Sequence, residues 1–276
     1  MPIISLTSDY GTVDHRVACI KGSLLSMNED IKLVDITHDI LPYNIQQAAY
    51  VIRSSYKNFP EGSIHIICVD SFFHKDRKNI LVKIDGHYFL AADNGILNLI
   101  FFDIKPDYIF EITLNKRFDD TINFTATDIF VPAAIHLYNG GVPEVIGKLI
   151  TETKETYFVN ASYKASEKMI IGEVMYVDNF GNVVSNIHRS LFELHMSNAT
   201  SFIIKFRNIV LTKIYNQYTD LVADWDDEAE YHGKSAVIFN DNNLLELTVY
   251  KGSLHNGAAS LFGMNMGEKI YIEFDS

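Results

Sequence analysis

The chain has 276 residues, 47% hydrophobic and 21% charged. That balance supplies a substantial core, argues against disorder, and fits one large or two ordinary domains. The net charge of −12 argues against a nucleic-acid backbone or an anionic membrane as the main partner, but not against a small cationic ligand.

Residues 2–8, "PIISLTS", read as a first strand, and the run from Thr12 to Met27 carries Val17, Ala18, Ile20, Leu24 and Leu25 at helical spacing. "IKLVDIT" is a second strand. "NIQQAAYVIRSSYKNF" is a second helix, closed by Pro60 and Gly62. "SIHIICVD" is apolar on both faces, as central parallel strands are. "NILVKIDGHYFLAAD" breaks at Asp85-Gly86 into a hairpin, "GILNLIFF" is a short helix, and "YIFEIT" a further strand. Asp128 is expected to open a helix through "IFVPAAIHLY", with Pro132 near its start, and "NGG" at 139–141 stops it.

After about residue 160 the segments become short and β-like: "KMIIGEVMYVD", "NVVSNIH", "SFIIKF", "SAVIFN", "LLELTVY" and "KIYIEF". The expected architecture is therefore an α/β N-terminal domain over 1–150 with a largely parallel central sheet. A linker over 151–167 and a smaller all-β, barrel-like domain over 168–276 follow. Cys19 and Cys68 sit in apolar runs without metal-like spacing and read as buried packing thiols. No apolar run approaches the ~20 residues of a membrane span, and no signal peptide precedes the first strand. A cytoplasmic location is expected.

Ligands bind at the carboxyl ends of strands in open parallel sheets, and Asp9, Asp35 and Asp70 lie at such ends. Asp9 can accept two hydrogen bonds from a diol such as a ribose, or it can cap the next helix. Gly11 allows the sharp turn. Asp70, with Arg77 seven residues on, can orient a water, or form an ordinary loop ion pair. "DNFGN" at 178–182 sets Asp178 and Asn182 around a turn at Gly181. There is no GxGxxG or Walker A loop for phosphate, and the ten histidines show no HExxH or paired ligand spacing, so no metal and no cofactor are expected.

The motifs "LTSDYGTVD", "VDITHDILPYNIQQAAYVI", "FPEGSIHIICVD", "ADNGIL", "DIFVPAAIHL", "VDNFGNVVSNI" and "QYTD" stand in an order that resembles the S-adenosylmethionine hydroxide adenosyltransferase family. That family is related to the S-adenosylmethionine-dependent fluorinase and chlorinase. The resemblance covers nearly the whole chain. It implies a homotrimer, with each active site lying between one subunit's N-terminal domain and its neighbour's C-terminal domain. It implies that Asp9 holds the ribose hydroxyls and Asp14 lies near the methionine part. Tyr43 and Phe124 would line the substrate, Asp178 and Asn182 would bind it from across the interface, and Tyr218 would stack on adenine. An insertion, "YKGSLHNGAAS", alters the segment after "LLELTV".

The resemblance also implies an aspartate, an arginine and a histidine that position water. Asp70 and Arg77 match the first two. The histidine normally lies in "FHGRDIF", and here "FTATDIF" puts Thr125 in its place, with His74 and His136 as the histidines that could compensate. The implied reaction is hydrolysis of S-adenosyl-L-methionine to adenosine and L-methionine. The rival expectations are halide transfer to the same carbon, or binding of S-adenosylmethionine or adenosine without turnover.

Overall fold

The computed structural model describes residues 2–114, 122–207 and 209–275, and the chain divides into two units, Met1–Phe158 and Val159–Ser276. In the first unit β1 (Ile4–Ser8) is buried along its whole length. It leads to α1 (Arg16–Met27), which buries Val17, Ile20 and Leu24. The helix starts later than the expected Thr12: Gly11 takes a left-handed φ of 67°, and the Asp14 carboxylate, ahead of the N-cap His15, accepts the Arg16 N–H at 3.0 Å. Cys19 is exposed on α1 rather than buried, whereas Cys68 is buried as expected. Cys19 lies off the buried stripe of Val17, Ile20 and Leu24 set by the 3.6-residue period.

β2 (Leu33–Thr37) pairs parallel with β1. α2 (Ile45–Ser55) is capped by the Asn44 side chain, which accepts the Gln47 N–H at 3.0 Å, and it buries Ala48, Ala49 and Ile52. β3 (Ile64–Cys68) is wholly buried and parallel to β1. β4 (Asn79–Ile84) and β5 (His87–Ala92) form the expected hairpin, with Asp85 and Gly86 both at positive φ. α3 (Ile96–Ile100) and β6 (Tyr108–Ile112) follow.

A π-helical turn, Ala126–Phe130, then leads into α4 (Val131–Tyr138). Asp128 therefore sits inside the turn rather than at its start. Its carboxylate folds back to accept the N–H groups of Asn123 and Phe124, each at 2.9 Å. After α5 (Pro143–Ile146), β7 (Gly147–Ile150) adds an edge strand antiparallel to β6. That pairing was not legible as a strand. Gly147 permits it, since a Cβ there would lie 1.9 Å from the Glu111 carbonyl.

The seven-stranded sheet runs β2-β1-β3-β5-β4-β6-β7. β2, β1, β3 and β5 pair in parallel, and β5-β4, β4-β6 and β6-β7 pair antiparallel, so the sheet is mixed. Alternation along β1 and β3 sends Ile4, Leu6, Ile64, Ile66 and Cys68 to one face, against α1 and α4. Ile67, Phe89, Ala48, Ile52 and Leu99 fill the other, under α2 and α3.

The second unit contains β8 (Ser162–Lys164), β9 (Met169–Val177), β10 (Val183–His188), α6 (Arg189–Met196), β11 (Ser201–Phe206), β12 (Ile209–Leu211), β13 (Ser235–Phe239), β14 (Leu244–Val249), α7 (Ala258–Phe262) and β15 (Lys269–Asp275). Its antiparallel sheet runs β12-β11-β15-β9-β10-β14-β13, with β8 paired to β9, and curls into a barrel-like form around Ile170, Val183, Ile204, Phe206, Val237 and Ile272. α6 interrupts the expected run of strands; the His188 side chain accepts the Ser190 N–H at its N-cap. Among the described residues no helix is long and apolar enough to cross a membrane.

Candidate active site

In the first unit the carboxyl ends of β1 and β3 converge on Asp9. Its Oδ2 accepts two backbone N–H groups, from Tyr43 at 2.8 Å and from Asp70 at 3.1 Å. Both donors sit in the left-handed region, Tyr43 at φ 65° and Asp70 at φ 45°, a conformation that non-glycine residues adopt at an energetic cost and that clusters at functional sites. The strain turns two peptide N–H groups onto one carboxylate oxygen. Asp9 is therefore not a cap for α1, and its Oδ1 carries no hydrogen bond among the described residues. A carboxylate pinned at one oxygen and open at the other is suited to accept hydroxyl donors from a ligand.

Asp70 Oδ2 lies 3.2 Å from the Arg77 guanidinium, which also donates to the Phe72 carbonyl. Asn94, only 3% exposed, fixes this turn: its Nδ2 donates to the carbonyls of Val69 and Asp70, and its Oδ1 accepts the Ile96 N–H. Asp9, Tyr43, Asp70 and Arg77 are thus joined by direct hydrogen bonds.

Phe124 and Thr125 line a neighbouring cleft of about 660 Å³, together with Tyr10, Arg16, Ser71 and Phe72. Thr125 is 2% exposed, and its Oγ1 has no hydrogen-bond partner among the described residues, so the cleft presents a hydroxyl that a ligand or water can satisfy. Tyr10 Oη and Ser71 Oγ are 2.9 Å apart. Burial, reinforced by Cys68, raises the Tyr10 phenol far above its ordinary value and keeps it protonated. The Tyr10 and Phe124 rings are 5.6 Å apart, and the half-exposed Tyr43 ring lies 6.1 Å from Phe72.

Asp14 lies outside these contacts and binds Arg16, whose backbone N–H, then its charge, holds the Asp14 carboxyl below the usual range. Neither histidine proposed as a substitute reaches the cleft lining. His74 is 64% exposed beside Asp76, and His136 binds the Val142 carbonyl at the end of α4. Sequence reasoning missed Ser71, Asn94 and Tyr10 as site-building residues. Only the position of Ser71 and Tyr10 next to Asp70 and Asp9 could have signalled them.

In the second unit Asp178 Oδ1 accepts the N–H groups of Phe180 and Asn182, both at 2.8 Å, and its Oδ2 accepts Asn182 Nδ2 at 2.9 Å. Asn182 Oδ1 accepts the Thr248 hydroxyl on β14 at 2.7 Å. The inserted segment packs on this turn: a Cβ on Gly181 would lie 2.7 Å from the Ser253 carbonyl, and one on Gly257 2.4 Å from that of Phe180. Tyr218 stacks on Tyr250 with centroids 5.1 Å apart, and its hydroxyl accepts the Lys251 N–H at 2.5 Å. The structure thus gathers Asp178, Asn182 and Tyr218 around the end of β14. It adds Glu246, 9% exposed, whose carboxyl is pushed up by burial and then by Asp178 and Asp241, against the hydrogen bond from Asn240.

A (R)-S-adenosyl-L-methionine hydrolase of Methanocaldococcus jannaschii is 29% identical over 217 residues, covering 75% of this chain and 74% of its own. A fluorinase of Actinopolyspora mzabensis is 25% identical over 221 residues, covering 70% and 73%. The crystal structure of a conserved protein from Thermotoga maritima superposes with a TM-score of 0.83 at 25% identity, covering 98% of this chain and all of that one. The model of the SAM hydroxide adenosyltransferase N-terminal domain matches residues 4–147, and that of the C-terminal domain residues 172–271. With both domains matched in order around the strand ends that carry Asp9 and Asp178, the chain belongs to the SAM hydroxide adenosyltransferase family.

Proposed function

We propose that the protein hydrolyses S-adenosyl-L-methionine to adenosine and L-methionine. A water oxygen bonds to ribose C5′ as the C5′–S bond breaks, the bonding pair leaves on the methionine sulfur, and one water proton is released. The sulfonium is already a good leaving group, so the protein's work is orientation, desolvation and placement of one small nucleophile. No cofactor enters the step.

The observation that carries the reading is Asp9, held at Oδ2 by two strained peptide N–H groups and open at Oδ1; it fixes the ribose hydroxyls. Asp70, held by Arg77, orients the water, and the unpartnered Thr125 hydroxyl adds one hydrogen bond, without acting as a base near neutral pH. Tyr43 and Phe124 line the substrate and Asp14 lies near its methionine part. Asp178, Asn182 and Tyr218 contact it from a neighbouring subunit of a homotrimer. The hydrolase relatives support water as the nucleophile. Asp70 counts against a halide, since a carboxylate beside the nucleophile repels an anion. One observation favours a second reading, a binding protein without turnover: threonine stands at position 125, where a general base would act.

Incubation with S-adenosylmethionine, with and without chloride, followed by chromatography, decides among the readings. Adenosine with methionine supports hydrolysis, 5′-chloro-5′-deoxyadenosine supports halide transfer, and binding without product supports the second reading.

A further inference from the structure

Behind Asp9 lies a chain of side chains that the proposed reaction does not use. Ser8, the last residue of β1, and His38, just past β2, are 1% and 5% exposed. Ser8 Oγ lies 2.7 Å from His38 Nδ1, and His38 Nε2 lies 3.1 Å from Asp35 Oδ1. The second oxygen of Asp35 receives Lys21 of α1 at 2.5 Å. Burial pushes the Asp35 carboxyl up, but the hydrogen bond from Lys21 and the His38 ring beside it outweigh that and hold it below its ordinary range. Asp35 thus stands ionised beside the ring edge, and the buried hydrogen bond of the set is the one between Ser8 Oγ and His38 Nδ1.

The same histidine grips the Asp9 turn twice more. Its backbone carbonyl accepts the Gly11 N–H at 2.8 Å, and the Ser8 oxygen that it orients receives the Tyr10 N–H at 3.4 Å. Residues 8, 10 and 11 are therefore all tied, directly or through Ser8, to His38. The Asp9 side chain points the other way, to the N–H groups of Tyr43 and Asp70. A serine, a histidine and an aspartate in a row suggest a nucleophile at first sight. Ser8 is too buried for that, and its hydroxyl is spent on the turn.

We propose that His38 is a positioning residue: with Ser8 and Asp35 it sets the Asp9–Tyr10–Gly11 turn so that Asp9 Oδ1 meets the ligand's hydroxyl pair. The inference rests on the reading of Asp9 as the ribose-binding carboxylate. Positioning groups of this kind hold a binding carboxylate within a fraction of an ångström of its productive place.

The test uses the full-length protein, with adenosine as the probe. His38→Ala is expected to weaken adenosine binding about tenfold by calorimetry, which corresponds to roughly 1.4 kcal/mol. It should also speed hydrogen exchange at the Tyr10 amide while leaving the Gly11 amide, held by the residue 38 backbone carbonyl, and the β3 amides unchanged. His38→Asn places an amide where Nδ1 stands, keeps the link to Ser8, and should restore most of the affinity. In an Asp9→Asn background His38→Ala should cost nothing further, because it acts through Asp9. If His38→Ala fails to fold, Ser8→Ala removes the same link from its other end and is read the same way.

Wild-type affinity with unchanged exchange at Tyr10 overturns the inference. So does an equal loss in the Asp9→Asn background, which would place the effect elsewhere. A wild-type protein that binds no adenosine overturns the proposed function instead, and the exchange measurement then still decides whether His38 holds the turn.

Discussion

Asp9→Asn keeps the size and shape of the side chain and removes one charge. In the folded protein the Asn carbonyl can take the place of Oδ2, facing the N–H groups of Tyr43 and Asp70 at 2.8 and 3.1 Å. The amide NH₂ is then left to face the ligand, a donor where the ribose hydroxyls need an acceptor. A charge-assisted hydrogen bond is typically worth about 1.5–3 kcal/mol and a neutral one about 1 kcal/mol. Losing the charged acceptor therefore predicts a fall in adenosine affinity of roughly ten- to a hundredfold. The two hydrogen bonds that the Tyr43 and Asp70 N–H groups donate to Oδ2 weaken as well, by about 0.5–1.5 kcal/mol each, which lowers the melting temperature by several degrees. Calorimetric titration with adenosine and thermal unfolding measure the two effects separately. Unchanged affinity with a lowered melting temperature would refute the argument, because Asp9 would then be an internal strut between strand ends and no ligand group.

Asp70→Ala should abolish most adenosine release from S-adenosylmethionine while leaving adenosine binding largely intact. Thr125→His should raise turnover, up to the roughly 10²–10⁴-fold of a general base, and a product assay on both variants checks the assignment of the water-holding pair. Acid should destabilise the first unit through His65, which is 1% exposed, bonded to Ser5 at 2.6 Å, and driven down to about 3 by burial and then by His87. The folded protein binds fewer protons there than the unfolded chain, whose histidine titrates near 6.5. The contribution is therefore complete above about pH 6.5 and is lost as pH falls toward about 3. Urea unfolding at pH 7 and pH 4 should show that loss, and a Ser5→Ala, His65→Leu double variant should flatten it. Light scattering is expected to give the mass of three chains, and an active monomer at micromolar concentration would contradict the shared site.

Much of this protein could be read from its residues in order. Period-2 and period-3.6 patterns placed β1 to β3, α1, α2 and the Asp85-Gly86 hairpin, because those elements are set by which face of a short segment is apolar. The expected α/β unit and the β-rich unit after about residue 160 followed from the same patterns. Asp9, Asp70 and Arg77 could be singled out because they follow strands at short spacing. The motifs around them carried the family resemblance.

What lay beyond the sequence depends on groups far apart in the chain. Asp9 as a cap or as a ligand carboxylate was undecidable locally. The structure shows its Oδ2 accepting peptide N–H groups 34 and 61 residues away, which rules out the cap, and those groups are presented by left-handed residues that no propensity predicts. β7 was missed because four residues beginning at a glycine have no periodicity of their own; pairing with β6 makes them a strand. Asp128 looked like a helix cap, and only the π-helical turn shows it folding back on Asn123 and Phe124. Ser8, Asp35 and His38 are unremarkable as letters. Parallel pairing of β1 with β2 brings their carboxyl ends together, and that juxtaposition, a property of the sheet rather than of either segment, turns three common residues into one hydrogen-bonded support for Asp9.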